Sequence, residues 1–187
     1  MKTSFYSDDE LINLGFKKIG VNCKISRYAR FYSPKSIEIG DNVRIDDFCI
    51  LSGEVKLGSY VHIAAYSALF GAGGIEMNDF AGLSSRVTIY SITDDYLGDA
   101  LTGPCIPDGY RKIERGKVHL RKHSLVGASS VIMPNTTLNE GSAIGALSLV
   151  KGIVSEWSIY AGVPAKYKKP RKRETMLAYE KELLNFK

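Results

Sequence analysis

The chain has little of several things, and each shortage removes a class of reading. It holds three cysteines, Cys23, Cys49 and Cys105, an odd number with no Cys-x-x-Cys spacing. That says nothing of metals, but it suits a reducing cytoplasm. No apolar run is long enough to cross a membrane, and Asp8, Asp9 and Glu10 interrupt the segment where a signal peptide needs its apolar core. Neither secretion nor stable membrane insertion is expected. Histidine is scarce as well: His62, His119 and His123 are the whole set, so a histidine base would have to be one of them. The net charge of +5 is unevenly spread, with Lys166, Lys168, Lys169, Arg171, Lys172 and Arg173 crowded into one segment. No recognised nucleic-acid module accompanies that run, so nucleic acid is not an expected partner; the run reads either as a solvated tail or as an anion-binding patch.

The chain also lacks long stretches with the helical period of 3.6 or the strand period of 2, and a period of six stands in their place. Aliphatic residues recur at Ile39, Ile45, Leu51, Leu57, Ile63 and Leu69, and again at Leu120, Val126, Ile132, Leu138, Ile144 and Val150. In the second series the fifth place is small: Ser124, Ser130, Thr136, Ser142 and Ser148. Neither a helix nor a flat strand produces this period. A hexapeptide repeat marks a β-solenoid, in which short strands alternate with turns and stack into a prism. Cys23 and Cys49 fall at the small place and read as buried structural thiols.

The interruptions of the period are as informative as the period. The frame begins at Ile19 and runs through Ile25 and Phe31; an insertion at Ile37-Glu38 delays it to Ile39. Phe70-Gly71-Ala72-Gly73-Gly74 delays it again before Met77, Leu83 and Ile89. Between Tyr90 and Lys117 it disappears, and an excursion of that length inside a domain is usually functional. Ahead of the repeat, Ser7 as N-cap, the acidic Asp8, Asp9 and Glu10, and Gly15 as terminator predict a short helix. Beyond it, Met176, Leu177, Tyr179, Leu183 and Leu184 among Glu and Lys predict an amphipathic helix that covers the open end of the solenoid. The expected organisation is an N-terminal cap over 1–18, a solenoid over 19–169 with its excursion loop at 90–117, and a C-terminal helix over 170–187.

These hexads, the phrases Val126-Gly127-Ala128 and Val131-Ile132-Met133-Pro134, and the terminal Ala161-Gly162-Val163-Pro164-Ala165 together resemble the hexapeptide-repeat acyltransferases. That resemblance implies an all-β left-handed parallel β-helix, a homotrimer with the active site in the cleft between subunits, and an acyl-CoA donor, acetyl-CoA by default, with no metal required. It implies small residues at Ala128, Gly145 and Ala146 beside the narrow thioester arm, with Lys151 and Lys166 supplying cations for the phosphates. A finer likeness lies in Leu83-Ser84-Ser85-Arg86-Val87-Thr88-Ile89-Tyr90-Ser91, Asp94-Asp95-Tyr96, Gly103-Pro104 and Pro107 before Tyr110. It resembles the branch that N-acylates nucleotide-linked amino sugars, such as 4-amino-4,6-dideoxyglucose on thymidine diphosphate, for surface polysaccharides such as O-antigen. Gly103 stands where that branch has Asn, and Pro134-Asn135-Thr136 replaces the more usual Pro-Gly-Val.

The acceptor chemistry follows from what the loop contains. An alcohol is a poor nucleophile until a base of pKa near 7 takes its proton. The sugar O-acetyltransferases of this family carry a histidine in the excursion loop, and this chain has none between Tyr90 and Lys117. An amine needs less help, so the absence favours an amine acceptor. Asp94 is expected to hold the amine, and His62, on the outer wall beside inward Ile63, to accept its proton directly or through water. His119 before Leu120 and His123 in a turn are the weaker candidates, and a solvated or interface imidazole is the competing reading for all three. Ser84 or Ser85 would contact the acceptor or thioester, with a backbone N–H stabilising the oxyanion. Asp95, Tyr96 and Tyr110 would bind the nucleotide sugar; turn chemistry for the aspartates and loop anchoring for the tyrosines compete with that reading. Three rivals stay open: a sugar O-acetyltransferase acting on lipopolysaccharide or free saccharides, a metal hydratase on the same solenoid, and a non-catalytic scaffold.

Overall fold

The computed structural model describes residues 4–185. Each hexad contributes one short strand, and the strands stack in parallel on three faces of a prism. The first face carries Lys24–Ile25, Arg44–Ile45, His62–Ile63, Gly82–Leu83, Leu125–Val126, Ala143–Ile144 and Ser158–Ala161. The second carries Arg30–Tyr32, the first halves of Ile50–Leu57 and Ala68–Met77, then Thr88–Tyr90, Val131–Ile132 and Leu149–Val150. The third carries Lys18–Ile19, Ile37–Ile39, the second halves of the two long strands, Val118–Leu120, Thr137–Leu138 and Ile153–Val154.

The period of six is the geometry of this winding. One aliphatic per hexad points inward, so Ile45, Ile63, Leu83 and Val126 stack on the first face, Leu51, Leu69, Ile89 and Ile132 on the second, and Leu57, Met77, Leu120 and Leu138 on the third, each 3% exposed or less. The small fifth place is buried at the corners, where Ser130 Oγ donates to the Gly145 carbonyl at 3.1 Å and Ser148 Oγ to the same oxygen at 2.7 Å. Cys23 and Cys49 occupy that place too and are buried; desolvation pushes the Cys49 thiol up to about 11. The turns require left-handed backbone whatever residue stands there. Phe48, Tyr66 and Arg86 sit at φ of 60°, 64° and 61° on successive rungs of one corner. Such values are costly for bulky side chains, and ring stacking offsets part of the cost: Phe48 and Tyr66 centroids lie 5.0 Å apart, with the Arg86 guanidinium 5.3 Å from the Tyr66 ring.

Every departure from the period falls at one edge of the prism. Between third and first faces, and between first and second, the inward residues keep their interval of six throughout. Only between the second and third faces does it change, from Phe31 to Ile39, Leu69 to Met77, Ile89 to Leu120 and Val150 to Val154. The glycine break and the excursion are thus neighbours on successive rungs. Ser91 joins them: its Oγ donates to the Phe70 carbonyl at 2.7 Å and accepts from Gly73 N–H at 2.7 Å, while its carbonyl accepts from Gly116 N–H at 2.9 Å. The excursion itself is ordered. Ile92–Asp94 pairs antiparallel with Ile113–Arg115 as a hairpin stem, and a 3-10 turn spans Asp108–Tyr110.

Helix α1, Asp8–Asn13, has the Ser7 N-cap its sequence predicts, within a capping box: Ser7 N–H donates to Glu10 Oε2 at 2.8 Å and Glu10 N–H to Ser7 Oγ at 3.4 Å. Arg27 Nη1 donates to Glu10 Oε1 at 2.7 Å, locking the helix to the first rungs. That guanidinium, with the Ser7 N–H, lowers the Glu10 pKa from 4.5 to about 2. The pairing therefore stabilises the fold above pH 4.5, and the contribution fades as the pH falls from 4.5 towards 2. Thermal unfolding of the wild type and of Glu10→Gln should differ at pH 7 and converge near pH 2.

The C-terminal segment differs from expectation. Lys166–Pro170 is not a tail but an antiparallel edge strand beside Ser158–Ala161, with its lysines exposed. Arg171 is a structural clamp, its Nη1 donating to the carbonyls of His123 at 2.8 Å and Gly141 at 3.0 Å. Helix α2, Glu174–Asn185, does not cover the open end. Its Glu180 reaches Lys122 and His123, two rungs back along the edge between third and first faces. Arg171 turns the chain back along the wall, which is why the helix lies beside the prism. His123, expected as a solvated or interface turn residue, is buried: it meets Glu180 Oε2 at 2.8 Å and stacks 5.1 Å from Phe80.

Candidate active site

On the first face, strand register assembles a site that no run of sequence contains. Two outward rows stand side by side. One passes through Arg44, His62, Gly82, Leu125 and Ala143. The other follows it by two residues and contains Asp46, Ala64, Ser84, Gly127 and Gly145, fixed by Asp46 N–H to Ile63 O at 3.0 Å, Ala64 N–H to Leu83 O at 3.0 Å and Ser84 N–H to Val126 O at 2.9 Å. His62, Ser84 and Ser85 consequently line one concavity of about 250 Å³. His62 is half exposed and its Nε2 lies 2.8 Å from Asp46 Oδ2; Arg44 Nε donates to Asp46 Oδ1 at 2.7 Å. Partial burial would raise the Asp46 pKa, but those two hydrogen bonds outweigh it and hold the carboxyl below its ordinary value. An ionised Asp46 thus fixes one ring nitrogen of His62 and leaves the other to act.

Beyond Ser84 the wall flattens. A Cβ on Gly127 would stand 2.5 Å from the Ala146 nitrogen, and one on Gly145 would stand 2.8 Å from Ala161 Cβ. Close rung packing therefore demands glycine at both, and the outcome is a surface free of long side chains. Ala128 is half buried and Ala146 exposed along the same wall, and exposed Lys166 lies on the edge strand at its end.

The hairpin builds a second region. Asp94 and Tyr96, with Phe70, Tyr90 and Met133 of the second face, line a cavity of about 500 Å³. An adjoining space of about 610 Å³ brings Asp95 and Lys151 to the same side. Arg111 Nη2 donates to Asp94 Oδ1 at 3.2 Å, and Gly103 N–H donates to Asp94 Oδ2 at 3.3 Å. Asp95 is occupied by its own loop: it accepts from the N–H groups of Leu97 at 3.2 Å, Asp99 at 2.6 Å and Ala100 at 3.2 Å. Desolvation would raise its pKa, but these bonds outweigh it and keep it low. Lys151 pairs with Glu114 of the hairpin at 3.3 Å. Tyr110 lies apart, on a different hollow with Gly109 and Leu101.

The sequence-predicted residues thus divide into His62, Ser84 and Ser85 on the first face, Asp94, Asp95, Tyr96 and Lys151 around the hairpin, and Tyr110 separately. In a three-sided prism the edge that bears the hairpin lies opposite the first face, so one chain does not bring the first two groups together. His119 sits on the third face, 3.9 Å from Glu76 Oε2, its pKa lowered mainly by desolvation. Among the described residues no group of three or more His, Cys, Asp or Glu is placed to hold a metal ion. Two functional candidates escaped sequence reasoning. Asp46 is visible only through rung stacking, and Arg111 only through the pairing of the hairpin strands; its position beside Tyr110 was the sole signal.

The fold is a parallel β-solenoid, and its candidate site lies on the outer wall. A profile of the bacterial transferase hexapeptide family (six repeats) matches residues 36–71. The dTDP-4-amino-4,6-dideoxy-D-glucose acyltransferase of Escherichia coli is 42% identical over 166 residues, covering 87% of this chain and 86% of that protein. WbbJ of Escherichia coli K12, a putative lipopolysaccharide biosynthesis O-acetyl transferase, is 30% identical and covers 83% of each. AntD, an N-acyltransferase from Bacillus cereus crystallised with dTDP and 3-hydroxybutyryl-CoA, superposes with a TM-score of 0.95 at 52% identity over 98% of both chains. Its S84A variant with dTDP-4-amino-4,6-dideoxyglucose and coenzyme A gives 0.97 at 51% identity over 100% of both. The chain belongs to the hexapeptide-repeat acyltransferases.

Proposed function

We propose that this enzyme transfers an acyl group from acyl-CoA to the amino group of a dTDP-linked 4-amino-4,6-dideoxy sugar, for bacterial surface-polysaccharide assembly. The observation that carries the reading is the end-to-end likeness to AntD, whose crystals hold that nucleotide sugar and coenzyme A. A hairpin that offers Asp94 and no histidine supports an amine over a hydroxyl, and the higher identity to the amino-sugar enzyme than to WbbJ supports the same choice. AntD was crystallised as variants altered at a serine numbered 84 and an aspartate numbered 94. This chain has Ser84 and Asp94 at the same numbers, which supports their assignment to the reaction.

In this reading the working unit is a homotrimer. Ser84 and His62 on one subunit's first face would be completed by Asp94 from a neighbour's hairpin, because a single chain holds them on opposite sides. Asp94, held by Arg111, positions the sugar amine. The flat wall at Gly127, Ala128, Gly145 and Ala146 admits the narrow arm of the donor, with Lys166 placed for its phosphates. Ser84 directs its hydroxyl at the thioester carbonyl, where negative charge develops. The amine nitrogen bonds to the carbonyl carbon as the carbon–sulfur bond breaks. His62, oriented by Asp46, takes the proton the amine sheds and returns it to the departing thiolate, so the products are amide and thiol. Both reactants belong to the cytoplasm, in keeping with reduced cysteines; among the described residues no helix is long and apolar enough to cross a membrane.

The test is thiol release from acetyl-CoA and longer acyl-CoAs with dTDP-4-amino-4,6-dideoxyglucose, its UDP counterpart and free sugars. Amide formation on the dTDP-amino sugar is expected. O-acylation of a free sugar with no turnover of any amino sugar would contradict the proposal.

A further inference from the structure

The first-face row His62, Gly82, Leu125 has a gap in it. Two long side chains stand one rung either side of a residue with none, on backbones roughly 10 Å apart at a rung spacing of about 4.8 Å, and leave an opening narrower than that along the wall. The concavity of about 250 Å³ beside Ser84 occupies this opening, walled by Ala64 and Leu125 and bounded by His62. The backbone does not explain the glycine. Gly82 lies in a strand, outside the left-handed region, and a Cβ there would meet only Leu125 Cδ1 at 3.4 Å and the His62 carbonyl at 4.0 Å, which is ordinary contact. Gly127 would bring its Cβ against backbone at 2.5 Å, and Gly141 has a φ of +65°. Those two are demanded by the fold; Gly82 is not, so what it supplies is space. Leu125, an apolar side chain at the rim, is 43% exposed in the single chain.

We infer that the Gly82 notch receives the acyl chain of the donor, and that the enzyme prefers a short chain longer than acetyl. The inference rests on the proposed function, with the thioester carbonyl at Ser84. An acetyl methyl would leave the notch unfilled and Leu125 without contact from the donor. A propionyl or butyryl tail would lie against Ala64 and Leu125, and each methylene placed in such a pocket changes kcat/KM by about tenfold or more.

The experiment measures kcat/KM for acetyl-, propionyl- and butyryl-CoA at saturating dTDP-amino sugar, in the wild type, Gly82→Val and Leu125→Ala. The wild type should favour butyryl-CoA over acetyl-CoA by about a hundredfold, about tenfold for each added methylene. Gly82→Val should lower that ratio by about tenfold by filling the notch, and Leu125→Ala should lower it by removing one wall. Because the readout is a ratio within one protein, a general loss of activity or stability does not imitate it. Transfer of acetyl as efficient as that of butyryl in the wild type, or an unchanged ratio in both variants, would overturn the notch while leaving the proposed function in place. Failure of every donor with every amino sugar would overturn the proposed function itself, and the notch with it.

Discussion

Asp94→Asn should lower kcat/KM for acylation of the amino sugar at least a hundredfold while the protein stays folded. The side chain is one-third exposed and lies on the hairpin, away from the hydrophobic core. Its loss therefore removes charge from the cavity with Phe70, Tyr90 and Tyr96 without opening a void. Asparagine keeps the size and an oxygen for the Gly103 N–H, but it cannot pair ionically with Arg111 or offer the sugar amine a charged acceptor. A hundredfold loss is about 2.7 kcal/mol of transition-state stabilisation, within the range for one hydrogen bond to a charged group. The expected partition is a fall in kcat with a rise in KM for the sugar and little change in KM for acyl-CoA. Rates within threefold of wild type would remove Asp94 from the mechanism.

Gly73→Val should disable the enzyme nearly as thoroughly from a position that touches no substrate. A Cβ at Gly73 would fall 2.3 Å from the Ser91 carbonyl oxygen, a contact that no side chain tolerates. Ser91 is the root of the hairpin: it ties Phe70 and Gly73 below to Gly116 above. Displacing it shifts Asp94, three residues further along the chain, and misplacement by about 1 Å can cost a hundredfold in rate. The solenoid should survive, because inward Leu69, Ile89 and Leu120 do not depend on that contact. Circular dichroism should therefore keep its β signal as activity falls, and proteolysis should cut within 92–115. Full activity with an intact hairpin would show that the root does not set the geometry of the loop.

The fold was legible because the period of six states it directly. Inward residues such as Ile63 and Leu138 follow from counting, since each turn of the winding exposes the same place in the hexad to the core. Even the location of the irregularities was present in the numbers. The intervals from Leu69 to Met77 and from Ile89 to Leu120 fall at the same edge once each hexad is assigned to a face. What periodicity does not carry is contact between rungs. His62 and Ser84 meet only because His62 stacks under Gly82, and Asp46 reaches His62 for the same reason. Arg111 reaches Asp94 through a hairpin inside a segment with no period at all. The burial of His123 is not readable from its turn position, which says nothing about Phe80 or about α2 folding back to supply Glu180. The amphipathic pattern from Glu174 predicts that helix correctly and leaves its destination open.

One assay reaches the centre of the account: mass spectrometry of the product formed from acyl-CoA and dTDP-4-amino-4,6-dideoxyglucose, with the matching dTDP-sugar bearing a hydroxyl in place of the amine as competitor. The account predicts a single new amide on the amino sugar, one thiol released per amide, and no ester on the competitor. Ester formation on the hydroxyl sugar with the amine untouched would contradict it.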